Sequence, residues 1–300
     1  MAQGNVHFLV GSPRSGTTIL GEILGRHPDI GQWYEPYFIW DRDYADLEDD
    51  FRDQSHATSD LTQHIRREFA AVKKALSVSM VIDKTPEHAF RIAYLRAVFP
   101  HAKFVHICRD GRDVVVSMEK LANRRAEIVK KRNFIDLFRV AGAMLKRQPT
   151  LRAKWLALSY ELRTTASLNP FRYLNKSKWK GKVGWGPRFP GWQEHAESQS
   201  KLAFHAKQWS ECERYIEAGL AEVPADQQYH LSYEDLVSHP AEQVANILSF
   251  LEVRDDVATE IVADIRTSSL KTHKNLNSSQ LSEIENSAGD MLEARNYTSS

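Results

Sequence analysis

The chain has 300 residues, is 42% hydrophobic and carries a net charge of +1, so it can bury a substantial core, and its length expects one large domain or two small ones; one domain over 1–300 with insertions is the reading adopted. No run approaches the roughly 20 apolar residues needed to cross a bilayer, and Met1 to Val10 runs straight into a strand pattern instead of a signal peptide, which reads as a cytoplasmic protein without a transmembrane segment. Cys108 and Cys212 have neither metal spacing nor a disulfide framework, which leaves them as ordinary thiols.

Val6 to Val10 is a β-rich run stopped by Gly11-Ser12-Pro13, after which Ile19, Leu20, Ile23 and Leu24 recur at helical spacing over Thr17 to His27. A second helix is expected from about Ser59 to Leu76, capped at Ser59 or Asp60, with Leu61, Ile65, Phe69, Val72 and Leu76 as its core stripe. Met80 to Ile82 reads as a strand, Thr85-Pro86 opens a helix running to Phe99, Lys103 to Cys108 is a strand, and Asp110 starts a helix. This alternation predicts an α/β, P-loop-like three-layer fold with a central parallel sheet flanked by helices. Asn169 to Trp192, rich in Gly, Pro, Lys and Trp, reads as a long ordered loop or lid. A helix with Pro240 near its start follows His230-Leu231, and a last one covers Gln280 to Leu292.

Between Leu121 and His195 there are 17 Lys and Arg against four Asp and Glu, a local excess of +13 that leaves −12 on the remainder. Such asymmetry expects an anionic partner, or equally a solvated basic face. Gly11 to Thr18 sits between strand and helix, where backbone N–H groups and the helix dipole converge on an anion, and Ser15, Thr17 and Thr18 add hydroxyls. A plain tight turn would also be served by this string. It is not a Walker A loop, because position 17 is Thr and not Lys. Arg109 ends a strand and Ser117 lies two turns into the next helix, so the two can meet one phosphate from two sides.

The Pro13-to-Thr18 loop, together with Arg109-Asp110-Gly111-Arg112-Asp113 and Ser117, resembles the paired 5′-phosphosulfate and 3′-phosphate motifs of sulfotransferases that use 3′-phosphoadenosine-5′-phosphosulfate. Arg14 places the loop nearer the protein-tyrosine and glycan branch and its bacterial relatives. The likeness extends to Asp83 to His88, Trp185 to Arg188, Tyr233 to Leu236 and the ending from Asp290 to Tyr297. It implies that Arg14, Ser15, Gly16, Thr17 and Thr18 hold the 5′ side of the nucleotide, that Arg109 and Ser117 hold the 3′-phosphate, and that Tyr233 packs near the purine. The segment Ser269 to Lys274 resembles the loop that folds over the cofactor, with Lys274 as its matching residue. Relatives often carry a basic residue four positions after the serine; Leu121 stands there, with Arg124 or Arg125 as candidate substitutes.

By the same resemblance Glu35 is the base that takes the acceptor proton and Lys84 steadies the departing nucleotide, and the reaction requires no metal. Partial burial beside Trp33 and Tyr34 would raise the Glu35 pKa toward a useful range. His88 and His106 are rival bases, although His88, one turn into a helix, would equally serve as a cap-side surface residue, and His106, in an apolar strand, reads more readily as a core histidine. The implied activity is sulfuryl transfer to the hydroxyl or amine of a polysaccharide, lipid headgroup, tyrosine or small metabolite, with no nucleic-acid partner. The basic, helical or looped insertion at about 121–195, and Phe171 to Trp192 within it, faces the acceptor. Two alternatives stand beside this: a nucleotide kinase or NTPase, and a non-catalytic module for anionic glycans or membranes.

Overall fold

Five short strands make the frame, and the inner ones turn alternate side chains to opposite apolar layers. The computed structural model describes residues 5–44, 47–130, 142, 145–146, 148–164, 186–262 and 270–297, without the side chains of 124–130 and 161–164. β1 (Val6–Val10), β2 (Ile30–Tyr34), β3 (Met80–Lys84), β4 (Phe104–Cys108) and β5 (Gln228–Ser232) form one parallel sheet in the order β2-β3-β1-β4-β5. Phe8, Val10, Val81 and Phe104 enter one layer, whereas Leu9, Met80, Ile82, Val105 and Ile107 enter the other. That two-sided burial is why these strands read as nearly continuous hydrophobic runs.

Helices cover both faces. On the first lie α2 (Tyr37–Trp40), α3 (Ser59–Leu76), α4 (Ile92–Val98), α6 (Leu151–Thr164) and much of α8 (Lys201–Ala221). On the second lie α1 (Thr17–Leu24), α9 (Tyr233–Ser238) and α10 (Pro240–Phe250), with the short α11 (Ala258–Ile261) beside them. A third cluster joins α5 (Gly111–Lys130), α8 and α12 (Ser278–Ala294) through Val114, Val115, Met118, Trp209, Ile284 and Leu292. The α7 helix (Trp192–Ser198) links residues 186–191 to α8.

Several boundaries differ from expectation for identifiable reasons. The α1 helix stops at Leu24, ahead of the expected His27. The cap of α3 is Thr58, whose hydroxyl accepts the Leu61 N–H, and not Ser59 or Asp60. The single helix expected from Pro86 to Phe99 is a 3-10 turn, Pro86–Phe90, followed by α4. Between them Arg91 leaves helical geometry at φ −133° and is fully buried, its Nη2 2.9 Å from Asp41 and 3.5 Å from Asp50. Asp50 also accepts the Arg188 N–H at 2.7 Å and its Nη2 at 3.0 Å, and Trp192 Nε1 donates to the Glu48 carbonyl. The last helix runs further than expected at both ends, and its earlier start follows from Asn277 and Gln280 capping each other reciprocally. Most of the loop expected at 169–192 lies outside the described residues.

Candidate functional site

A parallel sheet brings the carboxyl ends of all its strands to one edge, and in open α/β folds that edge is where ligands bind. Here β1 delivers Gly11 to Thr18, β2 delivers Glu35, β3 ends in Lys84, β4 delivers Arg109 and β5 delivers Tyr233. The two outer pairs of turns meet across β1, the central strand, where Leu9 pairs with Lys84 and Val10 with His106.

The β1–α1 loop is shaped for close approach. Gly16 caps α1 at φ 100°, offers no side-chain acceptor to the first turn and is followed by no acidic residue there. A Cβ at Gly16 would lie 2.4 Å from Tyr233 Cδ2, so only glycine fits between the loop and that ring. Arg14 also has a left-handed backbone, φ 74°. Ser12 and Ser15 are buried and share a hydroxyl hydrogen bond, which fixes the floor of the loop. With its leading N–H groups uncapped, the α1 terminus presents donors to an anion.

The two motifs expected to hold opposite ends of one nucleotide are joined directly. Arg14 Nε donates to Ser117 Oγ at 3.0 Å, and Arg109 Nη1 donates to the Arg14 carbonyl at 3.3 Å. The Arg109 guanidinium lies over the Tyr233 ring, 4.4 Å from its centroid. Arg14 is exposed as a residue, yet burial of its charged end and then the neighbouring Arg109 lower its pKa, which places two like charges around a space suited to an anion. Tyr233 is only 2% exposed, so it sits beneath Arg109 and Gly16 as a support, with little surface of its own for a purine.

On the other side of β1, Lys84 Nζ donates to Glu35 Oε1 at 2.8 Å and stands 5.0 Å from the centre of the Tyr34 ring. Burial works against the Lys84 charge, but Glu35 and then Tyr34 raise its pKa overall, so the ammonium persists at neutral pH. Glu35 occupies a left-handed conformation, φ 49°, held by its N–H on the Lys84 carbonyl. For a residue with a Cβ that conformation costs roughly 1–2 kcal/mol, a strain that collects at functional sites. The partner of Glu35 is thus an ammonium and not the Trp33 ring, which is buried against Phe69 and donates to Gln148.

His88 is not a surface residue. It is fully buried between Phe8 and Trp40, with Nε2 3.0 Å from Asp83. His106 is a core histidine, bound to Glu213 at 3.0 Å and to His230. Lys274 lies exposed in a short 3-10 turn, Thr272–Asn275, carried beside α5. Arg124 and Arg125, the proposed substitutes for the absent basic residue at Leu121, have side chains outside the described set, as do Phe171 to Trp185. Sequence reasoning gave Asp113 no role beyond its place in the motif, yet it accepts from Thr272 Oγ1, His273 N and His273 Nδ1 at 3.1, 2.8 and 2.7 Å. No local signal links positions so far apart in the chain. Among the described residues no His, Cys, Asp and Glu cluster is suited to a metal ion, and no helix is long and apolar enough to cross a membrane.

The arrangement can hold an anion with two arginines and a helix terminus, and can move a proton at a carboxylate two strands away. The model of the family described as Sulfotransferase family matches residues 7–162 and 186–256. Protein-tyrosine sulfotransferase 1 of Danio rerio is 32% identical over 123 residues, covering 37% of this chain and 34% of that protein. Nodulation protein NoeE of Sinorhizobium fredii is 32% identical over 132 residues, covering 37% and 30%. The chain therefore spans about a third of the length of these relatives. Two solved structures share its fold: the sulfotransferase domain of the Synechococcus PCC 7002 olefin synthase, with TM-score 0.51, 16% identity and 94% of each chain covered, and a sulfotransferase of Mycobacterium tuberculosis H37Rv, with TM-score 0.51, 16% identity and 96% and 77% covered.

Proposed function

Since the chain belongs to the sulfotransferase family, we propose that it moves a sulfuryl group from 3′-phosphoadenosine-5′-phosphosulfate to an acceptor hydroxyl or amine. The observation that carries this reading is the Glu35–Lys84 pair, a carboxylate and an ammonium 2.8 Å apart on the strand edge that also carries the anion loop. The family match supports transfer over the kinase and binding-module alternatives, and Thr17 in place of the Walker lysine agrees with it.

The residues fit the nucleotide. Arg14, Ser15, Gly16, Thr17 and Thr18 take the 5′ side, where the uncapped α1 terminus leaves room for an anion and no room for a side chain. Arg109 and Ser117 take the 3′-phosphate, and Lys274 reaches it from the C-terminal segment. Tyr233 sets the plane of Arg109 from below. The donor supplies an electrophilic sulfur and a phosphate leaving group. Glu35 accepts the proton that the acceptor loses as its oxygen or nitrogen bonds to sulfur. Lys84 and the α1 N–H groups stabilise the negative charge left on the departing phosphate oxygen, which receives the electron pair of the broken S–O bond. No step in this scheme calls for a metal.

In the same reading the chain is one sulfotransferase domain, and its basic insertion at about 121–195 faces an anionic acceptor; the family model passes over 163–185, as a substrate-specific insertion would allow. A tyrosine acceptor is supported by the name of one relative. A cytoplasmic site suits two buried, unpaired thiols. The test is calorimetric titration with adenosine 3′,5′-bisphosphate without metal, in parallel with ATP and magnesium. Tight binding of the bisphosphate that Arg109→Ala abolishes is the expected result. Binding of ATP with magnesium alone would overturn the proposal in favour of a kinase.

A further inference from the structure

The carboxylate of Asp113, in the first turn of α5, is 1% exposed and faces two ways. Its Oδ1 gathers the Thr272 hydroxyl, the His273 N–H and the His273 ring Nδ1. Its Oδ2 lies 3.5 Å from Arg109 Nη2. Burial alone would raise its pKa, but the His273 backbone and ring donors and the Arg109 charge bring it below the ordinary aspartate value, so it is a carboxylate at neutral pH. The charged groups around this contact are Asp110, 3.7 Å from His273 Nδ1, and Arg112, which is paired with Asp110. His273 is buried and the neighbouring Lys274 is exposed, so the anchored residue fixes where the free cation stands. Lys271, which starts the turn, has a left-handed backbone at φ 56°, a conformation that needs such an anchor to persist.

We propose that Asp113 is a positioning residue: one carboxylate ties the 270–276 segment to Arg109, so that Lys274 and Arg109 are placed on the nucleotide as a unit. This rests on the nucleotide reading above and deepens it, because it predicts energetic coupling between two cations from distant parts of the chain. A charge-assisted hydrogen bond contributes about 1.5–3 kcal/mol. Losing one such bond from the anchor weakens binding by about 10- to 100-fold.

The experiment is a double-mutant cycle on adenosine 3′,5′-bisphosphate affinity, with Lys274→Ala, Asp113→Ala and the pair, each checked for folding by its melting temperature. Lys274→Ala is expected to cost about 10-fold in the wild type and less than about 2-fold when Asp113 is absent. Equal cost in both backgrounds overturns the coupling. Should Asp113→Ala not fold, Thr272→Val with His273→Ala removes the two side-chain donors to Asp113 and leaves the His273 N–H, and a smaller non-additivity of the same sign is expected. Asp113→Asn keeps an acceptor for Thr272 and His273 but not the charge facing Arg109, and is expected to recover part of the Lys274 effect. Amide exchange at His273 reads the anchor without ligand: protection in the wild type that Asp113→Ala abolishes is expected, and unchanged protection overturns the anchor itself. A wild type that ignores the bisphosphate but shows this exchange pattern would sink the nucleotide reading and leave the anchor standing.

Discussion

Two strand-to-helix turns stand side by side at the carboxyl edge of the sheet, and they resolve the same problem in opposite ways. At β1–α1 the helix begins on Gly16, with no side-chain cap and no acidic residue in its first turn. At β4–α5 the helix terminus is filled by the protein: Asp110 accepts the Arg112 N–H at 3.0 Å and pairs with its guanidinium, Asp113 lies in the first turn, and Glu234 accepts the Asp110 N–H. A helix terminus has several unpaired donors and a partial positive charge, so each is either answered from within or held open for an anion. On the proposed function the open one is the seat of the nucleotide, and the answered one carries Arg109 and Ser117 beside it.

The largest effect should come from a residue in neither turn. Glu35→Gln is expected to lower turnover by about 10²–10⁴-fold while leaving bisphosphate affinity within about 3-fold; steady-state rates beside calorimetry check this, and lost binding with normal turnover would break the division of labour. At the open turn, Gly16→Val forces a Cβ onto Tyr233 and a branched residue into φ 100°, and should weaken bisphosphate binding by about 10²-fold or more. At the answered turn, Asp110→Ala removes a cap and leaves Arg112 without its carboxylate. Thermal unfolding should show a loss of about 2–4 kcal/mol, whereas bisphosphate affinity should fall far less than in Gly16→Val.

Acid should soften the frame rather than the open turn. His7, 5% exposed, and His205, 1% exposed, have pKa values lowered by burial to about 4, with Lys103 and Lys201 adding to the effect. Between that value and the ordinary 6.5, the unfolded chain binds protons that the folded chain refuses, so stability rises with pH across this window. The contribution is complete above pH 6.5 and is lost as pH falls toward 4, at up to roughly 3 kcal/mol for each group. Melting temperatures from pH 7 to 4.5 should fall, and His205→Gln should flatten that slope by about half.

The strands β1, β3 and β4 were legible because burial on both faces writes them as short apolar runs bounded by turns. β2 was not, since Ile30-Gly31-Gln32-Trp33-Tyr34 mixes glycine and a polar residue into an edge strand. The longest described helix, α8, escaped for the opposite reason. It buries His205, Gln208, Glu211 and Glu213 along with its apolar residues, so no polar face contrasts with a core face. At the site, Arg14, Arg109 and Ser117 stood out from local patterns, whereas Glu35 and Lys84 were singled out by the family resemblance. The Arg14–Ser117 bond and the Asp113 anchor depend on which segments the sheet sets together, and no local spacing carries that.

The buried contact of Asp50 with Arg91 and Arg188 bears on which part of the chain is open to exchange. Residues 186–192 are pinned to the sheet layer by Asp50 and Glu48, and α6 is seated in the core through Ala153, Ala157 and Tyr160. The sequence between 165 and 185 therefore starts and finishes beside posts that are held by residues elsewhere in the chain. On the proposed function, exchanging that stretch like a cassette is expected to change which acceptor is used and to leave bisphosphate affinity as it was.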